Sequence, residues 1–208
     1  MTQSEPTIFL ASTSPRRREL LTGLGLDYVP LDPGVEEVPF PNETARAYAA
    51  RNAKLKAEAV LKLEEVTSQR VVAVIAADTI VVLDRHILEK PRDQTEACVM
   101  LARLSGRTHT VYTGLYILAG PPAKLTAHAR LVATEVTMKT LAAGEIVAYV
   151  ATGEPLDKAG AYAAQGRGSY MVQKIAGSFT NVVGLPLTEL VQILTERCGI
   201  TMWPADLP

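Results

Sequence analysis

The chain has 208 residues, 48% of them apolar and 21% charged. That mix excludes a disordered, collagen-like or disulfide-scaffold protein, and the length suits a single domain over residues 1–208 with a core from about 8 to 198. Basic and acidic residues nearly cancel, 21 against 22, which argues against a nucleic-acid polymer as partner, because binding phosphates along a strand needs a cationic surface. Cys98 and Cys198 lie far apart in the sequence and outside any metal-ligand spacing, so they read as reduced thiols. The N-terminus lacks a basic stretch followed by an apolar one, and the longest apolar run, residues 71–77, is too short to span a bilayer. The expectation is a cytoplasmic protein with no membrane contact.

In chain order, Ile8-Phe9-Leu10-Ala11 predicts a strand, and Ser14-Pro15 the cap and first residue of a helix that stops near Gly23 or Gly25. Residues 28–31 predict a second strand. A proline-rich loop follows, then a long Ala-rich helix capped by Asn42 and running from Glu43 to about Val66. Residues 71–83 form a β-branched run without alternation, the pattern of a strand covered on both faces. Asp93 and Glu96 make a capping box for a helix to Leu104. Residues 108–118 and 125–138 predict a hairpin about Gly120-Pro121-Pro122. A helix near 144–152, a Gly-rich loop over 153–168, short strands around 171–174 and 179–183, and a helix from Pro186 to about Arg197 complete the pattern. The tail 201–208 reads as weakly ordered. Strands alternating with helices predict an α/β fold with a mixed sheet.

Two places work against the fold. Ser12-Thr13-Ser14-Pro15-Arg16-Arg17-Arg18 puts three arginines in the first turn of a helix, where the macrodipole is already positive. Either the turn is simply solvated, or an anion is held there by backbone N–H groups, hydroxyls and guanidinium forks; the strand–turn–helix setting favours the anion. Asp78 interrupts an apolar strand, a costly place for a carboxylate unless it is paired or binds metal. The plainer alternative is a strand end with Asp78 capping a turn. Glu36-Glu37 could supply a second carboxylate, and two carboxylates with phosphate oxygens suit Mg²⁺; alone, the pair reads as a solvated loop. Glu89-Lys90-Pro91 and the stretch from Gly153 to Tyr162, with Gln165 beyond it, are charged or Gly-rich loops of the kind that carry function. His86, His109 and His128 show no ligand spacing.

These residues resemble the Maf family of nucleotide pyrophosphatases, named for an association with septum formation. The matching stretches are Leu10-Ala11-Ser12-Thr13-Ser14-Pro15-Arg16-Arg17-Arg18-Glu19-Leu20-Leu21, Val35-Glu36-Glu37, Lys56-Ala57, Ala77-Asp78-Thr79-Ile80-Val81, Leu88-Glu89-Lys90-Pro91, Leu104-Ser105-Gly106, Glu154-Pro155-Leu156-Asp157-Lys158-Ala159-Gly160-Ala161-Tyr162 and Val182-Val183-Gly184-Leu185-Pro186-Leu187. They follow the family's order from about Ile8 to Leu194.

The resemblance implies a single elongated mixed sheet flanked by helices, similar to inosine triphosphate pyrophosphatase-like folds. It implies hydrolysis of a nucleoside triphosphate to the monophosphate and pyrophosphate, a divalent cation (Mg, Mn or Co), and a cytoplasmic homodimer that clears the nucleotide pool. By position, Asp78 matches the proposed proton acceptor, with metal coordination an equally physical role. Glu37 matches a carboxylate near the metal. Ser12, Arg17, Lys56 and Lys90 match residues around the phosphates, where positioned positive charge suits phosphoryl transfer. Arg16, Thr79 and Gln165 match the branch acting on dTTP and UTP, and Asp157-Lys158 agrees with it. A Gln amide suits a pyrimidine edge that offers both a donor and an acceptor, whereas the 7-methyl-GTP branch places Trp, Gln and Glu at the three positions. Ala163-Ala164 departs from the family's usual Gly-Ile and touches the shape of the base pocket. The competing expectations are a 7-methyl-GTP or ITP pyrophosphatase, and a nucleotide-binding regulator of division.

Overall fold

The apolar run around Asp78 forms one unbroken strand, β3 (Val71–Leu83), of 13 residues, most of them buried. The structure is a computed structural model and describes residues 7–121 and 124–202. β-Branched side chains crowd a helix but pack well on a pleated surface. β3 is the middle of a seven-stranded sheet built with β1 (Thr7–Ala11), β2 (Val29–Leu31), β4 (His86–Leu88), β5 (Thr108–Ala119), β6 (Thr126–Met138) and β7 (Val172–Ala176). The order is β2-β1-β3-β5-β6-β7, with β4 also on β3. β1 runs parallel to β2 and β3, and every other pairing is antiparallel. The expected single mixed sheet flanked by helices is what forms.

Alternate residues of β3 feed two cores. Val74 and Ala76 pack with Phe9, Ala57 and Val60 beneath helix α2 (Ala45–Leu61). Ala73, Ile75 and Ala77 pack on the other face with Leu21 of α1 (Pro15–Gly23) and with Leu190, Ile193 and Leu194 of the C-terminal helix (Leu187–Cys198). Both faces are therefore covered, and the sequence shows no alternation for that reason. A third cluster lies beyond, where Leu101 and Leu104 of the helix Gln94–Leu104 meet Met138, and Tyr149 of the helix Ala143–Val150.

The sheet opens at one edge of β3. β1 pairs with it as far as Ile75, and β4 takes up the same edge at Val81. Residues 76–80 have no strand on that side among the described residues. A crevice at the carboxyl end of a parallel strand, where the chain turns into a helix, is where α/β sheets bind ligands. Asp78 and Thr79 sit in this gap, on opposite faces of the strand.

On the α2 face, Asp78 pairs across the sheet with Gly114 of β5. A Cβ on Gly114 would lie 2.4 Å from the Ala49 carbonyl oxygen. The glycine thus lets the α2 backbone lie directly on the sheet, close enough for its side chains to reach Asp78.

Several local expectations change. The long helix is capped by Thr44, whose hydroxyl accepts from the Ala47 N–H, and it ends at Leu61; a separate short helix, Glu64–Thr67, follows. Asn42 lies in the preceding turn with φ 62°. Residues 179–183 are helical, not extended: Ser178 caps the Asn181 N–H, and Gly184, at φ 121°, ends the turn. The β4 hairpin was not expected. Its turn places Asp84 and Arg85 both at positive φ, the two-residue geometry usually written with Asn-Gly. Asp93 caps its helix as expected, but Glu96 reaches back to the Arg92 N–H. Segment 153–168 carries short 3-10 turns rather than open loop. Pro122 in the expected hairpin turn, residues 1–6 and most of the tail lie outside the described residues. Among those described, no helix is long and apolar enough to cross a membrane.

Candidate active site

The gap in the sheet opens into a cavity of about 780 Å³. Its wall includes Ser12, Arg16, Arg17, Glu37, Lys56, Asp78, Thr79, Lys90, Asp157, Lys158 and Gln165, whereas Arg18 and Glu36, also singled out from the sequence, are not among the lining residues. Five cationic and five anionic side chains line it, Asp32 and Glu89 among the anions.

Asp78 is 5% exposed. Lys56 Nζ donates to its Oδ1 at 2.7 Å, and Asn52 Nδ2 donates to its Oδ2 at 3.2 Å. Lys56 also pairs with Glu37 Oε2 at 2.9 Å. One buried ammonium therefore serves two carboxylates. Burial opposes the Asp78 charge, but Lys56, the contact with Glu37 and the Arg17 charge outweigh it and hold the carboxyl below its ordinary value. Glu37 moves the other way: burial and the adjacent Asp78 raise it, with Lys56 opposing. Asp78 is thus ionised and beside a carboxyl short of compensating charge.

Tyr48, Asn52 and Lys56 stand four residues apart on α2 and so share one helix face. Tyr48 donates to the Glu37 carbonyl at 3.0 Å and to Glu89 Oε1 at 3.4 Å. Burial pushes its hydroxyl up to about 12, so it remains a donor. Tyr48 and Asn52 were missed from the sequence; three polar residues at helical spacing on an otherwise Ala-rich buried face were the available signal.

On the opposite face Arg17 turns inward. Its Nε donates to the Gly184 carbonyl at 2.8 Å, Nη1 to Ser12 Oγ at 3.2 Å and Nη2 to Thr79 Oγ1 at 3.2 Å. A guanidinium has five N–H groups, so each terminal nitrogen keeps one more for a ligand. Thr79 is itself held: its hydroxyl meets Thr113 Oγ1 at 2.9 Å, and Thr113 donates to the Asn181 carbonyl. Burial lowers the Arg17 value, while the charges of Asp78 and Glu37 support it. The arginine-bearing first turn of α1 holds no acidic residue. The repulsion expected there is relieved for Arg17 by fixed acceptors and facing carboxylates, and Arg16 lies 3.6 Å from Asp157.

The mouth is shaped by segment 153–165. Lys158 Nζ donates to the Glu154 carbonyl and to Asp157 Oδ1, both at 2.6 Å, so it fixes the loop while lining the cavity. Gly160 N–H bonds the Glu89 carbonyl, and Ala163 N–H bonds Tyr149 Oη. Tyr162 Oη meets His109 Nε2 at 2.7 Å under the loop. These anchors present Gln165 to the cavity, where Lys90 stands with no hydrogen bond or ion pair among the described residues. His109 is buried, and that pulls its imidazole down to about 4. Cys98 and Cys198 are free thiols.

No cluster of three or more metal-ligating side chains occurs among the described residues. Glu37 and Asp78 nevertheless suit a hard divalent ion: they are adjacent oxygen donors on one wall, and such an ion takes few carboxylates and keeps waters or phosphate oxygens. The raised value of Glu37 marks the place where a further positive charge would be favourable.

The family described as Maf-like protein matches residues 7–197. The dTTP/UTP pyrophosphatase of Salmonella typhimurium is 50% identical over 190 residues, 91% of this chain and 92% of its own. The dTTP/UTP pyrophosphatase of Myxococcus xanthus is 46% identical over 207 residues, 99% of this chain and 100% of its own. Among solved structures, the Staphylococcus aureus Ham1 protein aligns with 63% of this chain and 72% of its own, at 19% identity and a TM-score of 0.40.

Proposed function

Because the chain belongs to the Maf family, we propose that it is a nucleoside triphosphate pyrophosphatase that hydrolyses dTTP and UTP between the α and β phosphates. The observation that carries the reading is the meeting of Asp78, Glu37, Lys56, Arg17 and Lys90 around one cavity at the open edge of the sheet. Asp78, ionised and gripped at both oxygens, retains a lone pair on each oxygen to accept the proton of an attacking water. Arg17 offers its two remaining N–H groups to phosphate oxygens in a fixed direction, and the unpaired Lys90 adds charge that developing phosphate negativity can use. The cavity wall balances its own charges, so a triphosphate brings an excess of negative charge. A divalent cation (Mg, Mn or Co) held by Asp78 and Glu37 would offset that excess and favour a hydroxide nucleophile near neutral pH.

Selectivity is assigned to Arg16, Thr79 and Gln165, which line the same cavity. The Gln165 amide both donates and accepts, matching a pyrimidine edge. Asp157 and Lys158 act by holding Arg16 and the loop that carries Gln165. We propose further that the enzyme works in the cytoplasm as a homodimer that clears the nucleotide pool, a reading that its resemblance to the family supports.

Pyrophosphate release from a panel of nucleoside triphosphates, with each cation and with a chelator control, tests the reading. Selective, cation-dependent release from dTTP and UTP is expected. Preference for 7-methyl-GTP or ITP would overturn the selectivity assignment. Tight nucleotide binding without stimulated release would replace the enzyme with a nucleotide-binding regulator.

A further inference from the structure

The loop of residues 32–44, between β2 and α2, carries Glu37 but has few means of holding itself in place. Pro39 and Pro41 have no backbone N–H, so alternate residues of its central stretch cannot donate. Val38 and Phe40 are 51% and 60% exposed, so core packing does not fix it either. Within it, the Gly34 N–H bonds Asp32 Oδ1 and the Glu43 N–H bonds the Phe40 carbonyl, and the bonds that fasten the stretch after Glu37 to the helix come from α2 and its approach. Arg51 Nε and Nη2 donate to the two oxygens of Glu43, each at 2.7 Å, and Nη2 also donates to the Val38 carbonyl at 2.9 Å. Glu43 Oε2 in turn accepts from the Phe40 N–H at 3.1 Å. The Arg51 guanidinium lies 4.0 Å from the centre of the Phe40 ring, within cation–π range. One residue thus grips the loop at a carbonyl, at a ring and, through Glu43, at an N–H, immediately beyond Glu37.

We propose that Arg51, paired with Glu43, is a positioning residue that latches this loop to α2 and so holds Glu37 beside Asp78. The inference rests on the reading of Glu37 as a cation-binding carboxylate. Arg51 is not among the residues lining the cavity, so it acts only through the loop. Its neighbour on the helix, Tyr48, bonds the Glu37 carbonyl directly. Tyr48 fixes where Glu37 enters the site, and Arg51 fixes where the chain leaves it. The fork geometry matters: a lysine would keep the charge but could not bond both Glu43 oxygens and the carbonyl from one planar group.

The test compares wild type, Glu37→Gln, Arg51→Ala, Arg51→Lys, Glu43→Gln and the Arg51→Ala/Glu43→Gln pair. Two quantities are measured: the Mg²⁺ concentration giving half-maximal UTP hydrolysis, and Mn²⁺ binding by electron paramagnetic resonance without substrate. Supporting residues around metal ligands typically change affinity by about 10- to 100-fold. Arg51→Ala and Arg51→Lys should raise both metal constants about 10-fold or more, in the direction of Glu37→Gln, with most of kcat recovered at high Mg²⁺. The paired variant should be no worse than Arg51→Ala alone, because both changes open one latch. Unchanged metal constants in Arg51→Ala and Arg51→Lys, with Glu37→Gln impaired, would overturn the latch and leave the role of Glu37 standing. Unchanged constants in Glu37→Gln would overturn that role and the latch with it. Should Arg51→Ala fail to fold, Arg51→Lys and Glu43→Gln decide.

Discussion

Replacing Lys56 by Met asks how much one ammonium contributes when it serves two carboxylates. Its side chain is 8% exposed and that of Asp78 is 7% exposed, with 2.7 Å between the charged atoms. Removing one partner of a buried pair typically costs about 3–5 kcal/mol, because the other charge is left without compensation. Glu37 is 41% exposed, so water screens its share, which adds little. The expected loss is therefore about 3 kcal/mol at neutral pH in the presence of a chelator, read from urea denaturation.

The pH dependence has a definite sign. In the wild type the Asp78 value is depressed, so its contribution is present above its ordinary value and is lost as pH falls through the lowered one. In Lys56→Met, burial would instead raise that value, and the charged form would become a cost as pH rises. The deficit between the two proteins should shrink on moving from about pH 7 to about pH 4. Lys56→Met combined with Asp78→Asn should recover most of the loss, because no buried charge is then abandoned. A loss below about 1 kcal/mol, or an equal loss in the Asp78→Asn background, would refute the claim that this pair is the principal electrostatic contact of the site.

Two further outcomes follow from the geometry. His109 is held down to about 4 by burial, so its contribution to stability is intact above about pH 6.5 and is lost as pH falls towards 4, amounting to about 2 kcal/mol by pH 5; thermal unfolding of His109→Phe against pH should show a shallower acid slope than wild type, and parallel slopes would refute this. Gly114→Ala would push a methyl against the Ala49 carbonyl, so α2 must shift; a stability loss of about 1–3 kcal/mol and a larger fractional loss of UTP hydrolysis are expected, and full activity would show that α2 need not lie so close.

What the sequence disclosed, and what it did not, follows from where the physical conflict lay. Asp78 stood out because a carboxylate inside an apolar strand is expensive, and Arg17 because a cation at a helix start is repelled; neither inference needed tertiary contacts. Tyr48 and Asn52 were hidden because polar residues in an Ala-rich helix ordinarily face water, and it is Gly114, on a distant strand, that lets this helix lie close enough for them to reach the site. Arg51 was hidden for a similar reason, since its partners belong to a loop with no pattern of its own. Phe179-Thr180-Asn181-Val182-Val183 has the β-branched and aromatic character of a strand, yet the Ser178 cap and the buried Asn181 amide, bonded to Val111 and Thr134, make it helical. The β4 hairpin escaped notice because its left-handed turn is written Asp84-Arg85, without the glycine that usually signals one.

In the proposed function, Asp78 drives cleavage between the α and β phosphates. Product analysis of UTP turnover by wild type and by folded Asp78→Asn, with Mg²⁺ at saturation, tests it most directly. Uridine monophosphate and pyrophosphate are expected from the wild type, with a rate loss of about 100-fold or more in Asp78→Asn. Uridine diphosphate and phosphate as products, or an undiminished rate in the folded variant, would contradict it.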